Sequence, residues 1–580
     1  MKFPACIIGA LLSGAFAAAQ ENPVRLNQSG FYTAGPKQAA VMGPVPSDLF
    51  FITTPDGNDT VFRGVLQPEK LSQYSASRVR MADFSALEKK GRFVLRVPGM
   101  AASYPFGIGD APYRDLAAAV LKGFYFQRAS MPLEARYAGK WARPAGHPDT
   151  RVLVHPSAAD GKRPAGTVIA SPGGWYDAGD YNKYIVNSGI TMYMLLSAYE
   201  IFPAYFDRLD INIPESGNGV PDILDESLYN LRWMLTMQDP NDGGVYHKCT
   251  NAGFDKMVMP HNASTQPRYV VQKSSTAAYD FAAVMAMASR IYRPFEDQFP
   301  GLADSCSRAA VRAWDWAERH TGATYLYNQK EINRKTKPAI QTGEYGDRNS
   351  ADERFWAYME LVTAVGGQKF DSTDELHTGY ALPNWYTVET LGHWSAYRHP
   401  AKPLHKKGMG ELFIRQADQL IRSSEKNAFG TVMGQTPADF NWGGNSNAAT
   451  QGILLVYAYL ATQNRIYLDH ALSNLDYLLG RNATGYCFVT GFGEKRPMHP
   501  HHRPSVADGV ADPVPGLLVG GPNIRMEDGA RYPFREVETA YVDRDSAFAC
   551  NEVAINWNAP LVFLVNALEA LKVEAGYVKE

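Results

Sequence analysis

The sequence predicts two domains of different texture: a small all-β sandwich near the N-terminus and a much larger all-α domain built as a ring of helices. Three observations predict it. At 580 residues the chain exceeds one ordinary domain. From about Asn22 to Asp110, apolar residues alternate in short runs between turn signals. After Tyr113, apolar residues recur at three- and four-residue spacing almost to the C-terminus.

In the first region, Ala39-Ala40-Val41-Met42, Phe50-Phe51-Ile52-Thr53 and Arg92-Phe93-Val94-Leu95-Arg96-Val97 read as strands. Pro-Asp-Gly at 55–57 and Lys-Lys-Gly at 89–91 read as the turns between them. Strands this short and this evenly spaced suggest a sandwich over 20–110, with no catalytic constellation in it. Beyond it the helical pattern covers 114–128, 184–201, 221–238, 275–292, 305–320, 351–365, 386–397, 410–424, 446–462, 466–479 and 552–574. Long loops rich in glycine, proline and aromatic residues separate these helices at 239–272, 322–350 and 481–545. Loops of that length in a compact domain usually carry function. So many helices with such loops suggest a barrel or toroid rather than a bundle, over 111–580.

Composition narrows the function classes. Hydrophobic residues make up 45% and charged residues 20%, as in a protein with a large core. A formal net charge of -2 gives no electrostatic case for nucleic acid or an anionic membrane. The 10 Trp, 32 Tyr and 27 Phe exceed what a core alone calls for and suit a cleft that stacks sugars. Residues 1–19 read as a signal peptide: Lys2, an apolar run from Phe3 to Phe16, then Ala17-Ala18-Ala19. An exported protein without a membrane span is expected. Removing that peptide would remove Cys6 and leave Cys249, Cys306, Cys487 and Cys550, too widely spaced for a disulfide or zinc pattern, so packing must hold the fold. The chain is expected to act as a monomer.

The helical domain is organised around Gly173-Gly174-Trp175-Tyr176-Asp177-Ala178-Gly179-Asp180-Tyr181-Asn182-Lys183-Tyr184. Two carboxylates three residues apart precede the apolar run Ile185–Tyr199. At a helix N-terminus the dipole would favour their ionised forms, as needed to take a proton from water. A helix cap or a calcium loop is the alternative. Near the C-terminus come Tyr541-x-Asp543, Phe548 and then Asn551-Glu552-x-Ala554. A carboxyl such as Glu552 beside an apolar helix keeps its proton to higher pH, as a general acid requires; its alternative is a capping glutamate. Pro500-His501-His502-Arg503 could orient sugar hydroxyls; its alternative is a phosphate site or plain surface. Gly343-x-Tyr345-Gly346-Asp347 with Asp352-Glu353 is oxygen-rich enough to hold structural calcium through Asp347, Asp352 and Glu353, or is a solvated helix start.

Taken in order, these motifs resemble glycoside hydrolase family 9, the inverting cellulases with an (α/α)6 barrel. The resemblance also draws on Pro221-Asp222-Ile223-Leu224-Asp225-Glu226 and Lys273-Ser274-Ser275-Thr276-Ala277-Ala278, and covers about 114–574. Pro23-Val24-Arg25-Leu26-Asn27-Gln28-Ser29-Gly30-Phe31 is similar to the start of the immunoglobulin-like module that precedes some family-9 barrels. The resemblance implies a secreted endo-β-1,4-glucanase. Xyloglucan, mixed-linkage glucan, glucomannan or a short β-oligosaccharide is the alternative substrate, and a non-catalytic glycan-binding barrel the alternative class. It implies that Asp180 is the general base, with Asp177 helping to hold the water, and that Glu552 is the general acid. His501 and Arg503 match its substrate-contacting pair, and Asp543 a carboxylate that supports the site. Trp385, Trp442 and Tyr541 are candidates for sugar stacking. Inversion needs about 6.5–9.5 Å between acid and base to admit a water; only a ring that returns its last helix to its first could bring Asp180 and Glu552 so close. Immunoglobulin-bearing relatives often hold zinc. Here Ala129, Gly146, His147 and Tyr176 occupy the matching places, so no zinc is expected, and no cofactor is required for the chemistry.

Overall fold

A computed structural model describes residues 22–263, 266–366, 370, 379–400 and 403–579. The expected signal peptide lies outside the described residues.

Nine strands form the N-terminal domain: β1 (Val24–Leu26), β2 (Phe31–Tyr32), β3 (Gln38–Met42), β4 (Leu49–Thr53), β5 (Thr60–Val65), β6 (Lys70–Leu71), β7 (Arg78–Asp83), β8 (Gly91–Arg96) and β9 (Phe106–Gly109). They build two sheets, in the orders β1-β3-β7-β6 and β2-β9-β8-β4-β5. Leu26, Phe31, Val41, Phe50, Ile52, Leu95 and Phe106 meet between them. Two-residue alternation supplies the inward faces. On its outer side the first sheet sets Ala40, Val79 and Met81 against Ala428, Phe429 and Ala483 of the helical domain. Tyr32 stacks on Tyr577 at 5.5 Å and donates its hydroxyl to Glu569 at 2.7 Å. The sandwich thus covers apolar surface of the helical domain.

That domain contains α1 (Arg114–Gln127), α2 (Ile185–Ile201), α3 (Asp222–Thr236), α4 (Ser275–Ile291), α5 (Leu302–Arg319), α6 (Ala351–Ala364), α7 (Glu389–Arg398), α8 (Pro403–Ser424), α9 (Asn445–Thr462), α10 (Arg465–Leu478) and α11 (Ile555–Leu571). Each coincides with a helix expected from periodicity. Among the described residues, α2, α4, α6, α7, α9 and α11 form an inner ring. Helix α2 packs between α11 and α4, α6 between α4 and α7, and α9 beside α11. Trp394 of α7 stacks on Tyr457 of α9 at 4.8 Å and closes the circle. The inner helix α2, with sequence IVNSGITMYMLLSAYEI, is apolar all round and buried from Ile185 to Ala198. Outer helices are amphipathic. On α5, Ala303, Cys306, Ala310, Ala313 and Ala317 face inward, while Arg308, Arg312 and Glu318 lie on the other side. The architecture is the expected (α/α)6 barrel behind an immunoglobulin-like domain.

One feature departs from expectation. The loops between α1 and α4 are not without regular structure. They carry β10 (Val152–Val154), β11 (Val168–Ile169), β12 (Lys183–Tyr184), β13 (Lys248–Asn251) and β14 (Arg268–Val270), paired in the order β11-β10-β14-β13-β12. Strands of two to four residues are too short to show an alternating pattern. Among the described residues, Cys249, Cys306, Cys487 and Cys550 are all buried free thiols.

Candidate active site

The loop 172–182 enters the mouth of the ring just before β12. Its two aspartates are not in the first turn of α2, as expected, because β12 intervenes and Tyr184 occupies the helix cap. The helix dipole therefore does not set their charge. Asp177 is 1% exposed and held by side chains: Asn187 donates to Oδ1 at 2.6 Å and the Tyr345 hydroxyl to Oδ2 at 2.6 Å. Burial, and then the neighbouring Asp180 charge, push Asp177 up to about 8, opposite to what a helix N-terminus would do. At Asp180, Asn182 and Tyr184 (3.3 Å) both donate to Oδ2, so Oδ1 is the oxygen left to accept from a water.

Glu552 comes from the other end of the chain. It follows the short helix Phe548–Asn551 in extended conformation and precedes α11. Its N–H donates to Phe548 and its carbonyl accepts from Gly520 at 2.9 Å, while residue 552 bridges His501 in parallel. Two close contacts join this side to the aspartate loop. Ile555 N–H donates to the Asp177 carbonyl at 2.8 Å. Gly179 lies so tightly on His501 that a Cβ there would sit 2.1 Å from its carbonyl oxygen. Glu552 is partly exposed, and burial followed by the charges of Asp180 and Asp177 pushes it up to about 8, against the opposing pull of Arg503 and a hydrogen bond from Trp442. A carboxyl that keeps its proton at neutral pH thus faces the pair Asp177–Asp180 within electrostatic reach.

The other expected residues divide. His501 donates Nδ1–H to the Asp545 carbonyl at 2.5 Å, which leaves Nε2 for a ligand; burial lowers its pKa and keeps it neutral. Arg503 is 6% exposed and spends its hydrogen bonds on backbone, with Nη1 to Gly179 O at 2.6 Å and Nε to Asp255 O at 3.0 Å. It buttresses the residue before Asp180. Asp543 accepts from Met498 N, His499 N and Asn551 Nδ2, and so ties the histidine loop to the segment before Glu552. Trp442 is 42% exposed beside Phe548, and Trp385 is partly exposed, edge-on to Tyr345 at 5.2 Å. Both can offer a ring to a sugar. Tyr541 cannot. It is 3% exposed, packed on Tyr486 and Phe488, with its hydroxyl donating to Asn551 at 2.6 Å. The motif placed it near Glu552; its depth was invisible in sequence.

Sequence reasoning missed Asn187 and Lys248, and read Tyr345 only as part of an oxygen-rich stretch. It also missed Phe254, 52% exposed over Arg503, and Tyr386, 53% exposed against Trp385. None lies in a motif with recognisable spacing. The neighbouring pair Tyr345 and Trp385 sits in loops whose length was the available signal.

The calcium expectation rests on Asp347, Asp352 and Glu353, which lie close enough for the charge of Asp352 to raise the pKa of the other two. Glu353 leaves both oxygens, and Asp347 its Oδ2, without a hydrogen-bond donor. That hard oxygen chemistry suits calcium. However, Asp352 Oδ2 accepts from Val388 N–H at 2.8 Å, and the three carboxylates do not bring one oxygen each within 4.8 Å of one another. Asp280 joins this acidic group: burial and then the charges of Asp352 and Asp347 push Asp280, and burial and then the charges of Asp280 and Asp352 push Glu353, well above the usual carboxylate range. Among the described residues, Asp160, Asp239 and Asp242 do converge that closely, but the Lys273 ammonium bridges them at 2.7–3.0 Å. At the zinc positions, His147 Nδ1 meets the Tyr176 hydroxyl at 3.0 Å, and Ala129, Tyr176 and Tyr181 form an apolar cluster. One possible ligand does not make a zinc site.

Residues 113–565 match the model of glycosyl hydrolase family 9, and residues 19–102 that of the cellulase N-terminal ig-like domain. The chain belongs to glycosyl hydrolase family 9. It is 46% identical over 559 residues to a xyloglucan-specific endo-beta-1,4-glucanase of Bacteroides ovatus, covering 95% of this chain and 94% of that protein. It is 31% identical over 554 residues to endoglucanase D of Acetivibrio thermocellus, covering 94% and 83%. The solved Bacteroides ovatus family-9 structure superposes with a TM-score of 0.89 at 45% identity, over 95% of this chain and 99% of that one. As a family-9 member with endoglucanase relatives, the chain is a glycoside hydrolase with endo-β-1,4-glucanase activity, and family-9 catalysis needs no cofactor.

Proposed function

We propose that this chain hydrolyses β-1,4-glucan with inversion, Asp180 acting as general base and Glu552 as general acid. One observation carries the reading: a carboxyl that burial keeps protonated faces a pair of aspartates from 372 positions earlier (552 minus 180), across a mouth flanked by exposed aromatic rings. Water would lie against Asp180 Oδ1, oriented by Asp177. Glu552 would protonate the departing glycosidic oxygen as the water attacks from the opposite side. His501 and Trp442 would hold the sugar beside the acid, and Trp385 the chain beside Tyr345.

Within that activity we favour a xylose-branched β-glucan as substrate. The support is the printed specificity of the Bacteroides ovatus relative and the two open rings, Phe254 and Tyr386, lateral to the central residues, where side sugars could stack. Export through residues 1–19 and action as a monomer belong to the same reading; no helix among the described residues is long and apolar enough to cross a membrane. Incubation with cellulose, xyloglucan, mixed-linkage glucan and glucomannan, with product sizes and the anomer recorded by NMR, tests it. An α-anomer from xyloglucan first is expected. Release of the β-anomer would overturn the inverting mechanism, and equal rates on all four would overturn the preference.

A further inference from the structure

Lys248 is completely buried and lies against the aspartate side of the site. Its ammonium donates to Gly343 O at 2.6 Å, Gln329 Oε1 at 2.7 Å and Thr342 Oγ1 at 3.2 Å, all uncharged acceptors. It lies 5.5 Å from the ring centre of Tyr184 and 5.3 Å from that of Tyr327. Burying an ammonium without a carboxylate beside it is costly. Among the described residues, the other buried lysines of the helical domain, Lys183 and Lys273, have aspartate partners at 2.7 Å. A cost of this kind is kept where it serves a site.

The surroundings say which site. Lys248 is the direct cross-strand partner of Tyr184, whose hydroxyl donates to Asp180. The segment it grips, 342–345, ends in Tyr345, a non-glycine residue held at φ +46° with its hydroxyl on Asp177. Lys248's strand neighbours hold the same segment. His247 Nε2–H donates to Glu344 O at 3.0 Å, and Thr250 Oγ1 meets Thr342 Oγ1 at 2.6 Å while donating to Asn182, the donor on Asp180. Gly343 is pressed so close that a Cβ would stand 3.1 Å from the Tyr184 hydroxyl. One short strand thus supports every side-chain donor that touches the aspartates except Asn187.

We propose that Lys248 is a positioning residue for hydrolysis: it fixes the strained Tyr345 segment against Asp177 and puts a buried positive charge behind Tyr184, on the Asp180 side of the site. The proposal rests on the hydrolase reading above. The charged and titratable groups facing Asp180 are Asp177, Glu552, His501, Tyr184 and Lys248; those facing Lys248 are Asp180, Glu344, His247 and His155. Burial lowers the lysine to about 7, so its charge is present on the acid side of neutrality.

Lys248→Gln keeps a donor toward Gly343 and loses the charge; Lys248→Met loses both. For each, kcat and KM on a soluble β-glucan are measured from pH 4 to 9, with the melting temperature. The expected result is an acidic limb moved up by about half a unit or more in both variants. A kcat loss of roughly tenfold in Gln and more in Met should accompany it, with KM within about twofold of the wild type. If Met prevents folding, the limb of the Gln variant decides. A Gln variant whose acidic limb coincides with that of an active wild type overturns the proposal, whatever its stability. A wild type inactive on every β-glucan removes the hydrolase reading and this proposal with it.

Discussion

The N–H of Ile555, first residue of the last ring helix, donates to the carbonyl of Asp177 at 2.8 Å. That bond locks the first motif of the barrel to the start of the helix that follows Glu552. It also ties the backbone that carries Asp177 and Asp180 to the backbone that carries Glu552, the residues proposed above for the base and acid roles.

Removing either proton carrier should abolish most turnover without unfolding the protein. Asp180→Ala and Glu552→Gln are each expected to lose roughly 10²–10⁴-fold in kcat on an unactivated glucan. Both side chains lie outside regular helix, so the melting curve should change little. Near-normal turnover in either would remove its assigned role.

The pH–rate profile should fall on the alkaline side near 8. Glu552 is raised from its ordinary range to about 8, so it stays protonated through neutrality and loses the donated proton only above that pH. Measured kcat/KM for the wild type should show this limb. A profile that is flat to pH 10 would deny Glu552 the acid role.

Asp280 and Glu353 give a stability prediction. Both are raised in the fold, so the folded chain holds protons that the unfolded chain releases. Stability is therefore greatest below the unfolded value, about 4, and is lost as pH rises toward the raised folded values. Asp280→Asn removes one of the unpartnered buried carboxylates and should melt higher than the wild type at pH 7 in EDTA, with the difference closing near pH 4. A lower melting point at pH 7 would show that the carboxylate has a partner, and restoration of wild-type order by added calcium would identify it.

Trp385→Ala should raise KM on polymeric substrate by roughly fivefold or more with a smaller change in kcat, because it removes a stacking face and no proton carrier. Trp442→Phe should act differently, lowering kcat as well, since it deletes the indole N–H that reaches Glu552. Kinetics on one glucan with both variants check the contrast.

Deleting residues 20–110 uncovers Ala428, Phe429, Ala483 and Tyr577. The truncated barrel is expected to aggregate or to melt several degrees lower. A soluble barrel with an unchanged melting temperature would show that the sandwich lends no support.

Most of the architecture was legible from the chain itself. The inner helix Ile185–Ile201 is apolar on every side and the outer helix Leu302–Arg319 on one stripe, and that difference in pattern is a local property. Asp177, Asp180 and Glu552 were legible because their neighbours form ordered motifs. Their electrostatics were not. Tertiary contacts decided that Asn187 and Tyr345, and not a helix dipole, hold Asp177; that Tyr541 is buried while Trp442 is open; that Glu353 feels the charge of Asp280, far from it in sequence; and that Lys248 stands behind Tyr184. Desolvation and charge–charge coupling depend on distances between residues far apart in sequence, and those distances exist only once the ring of helices closes.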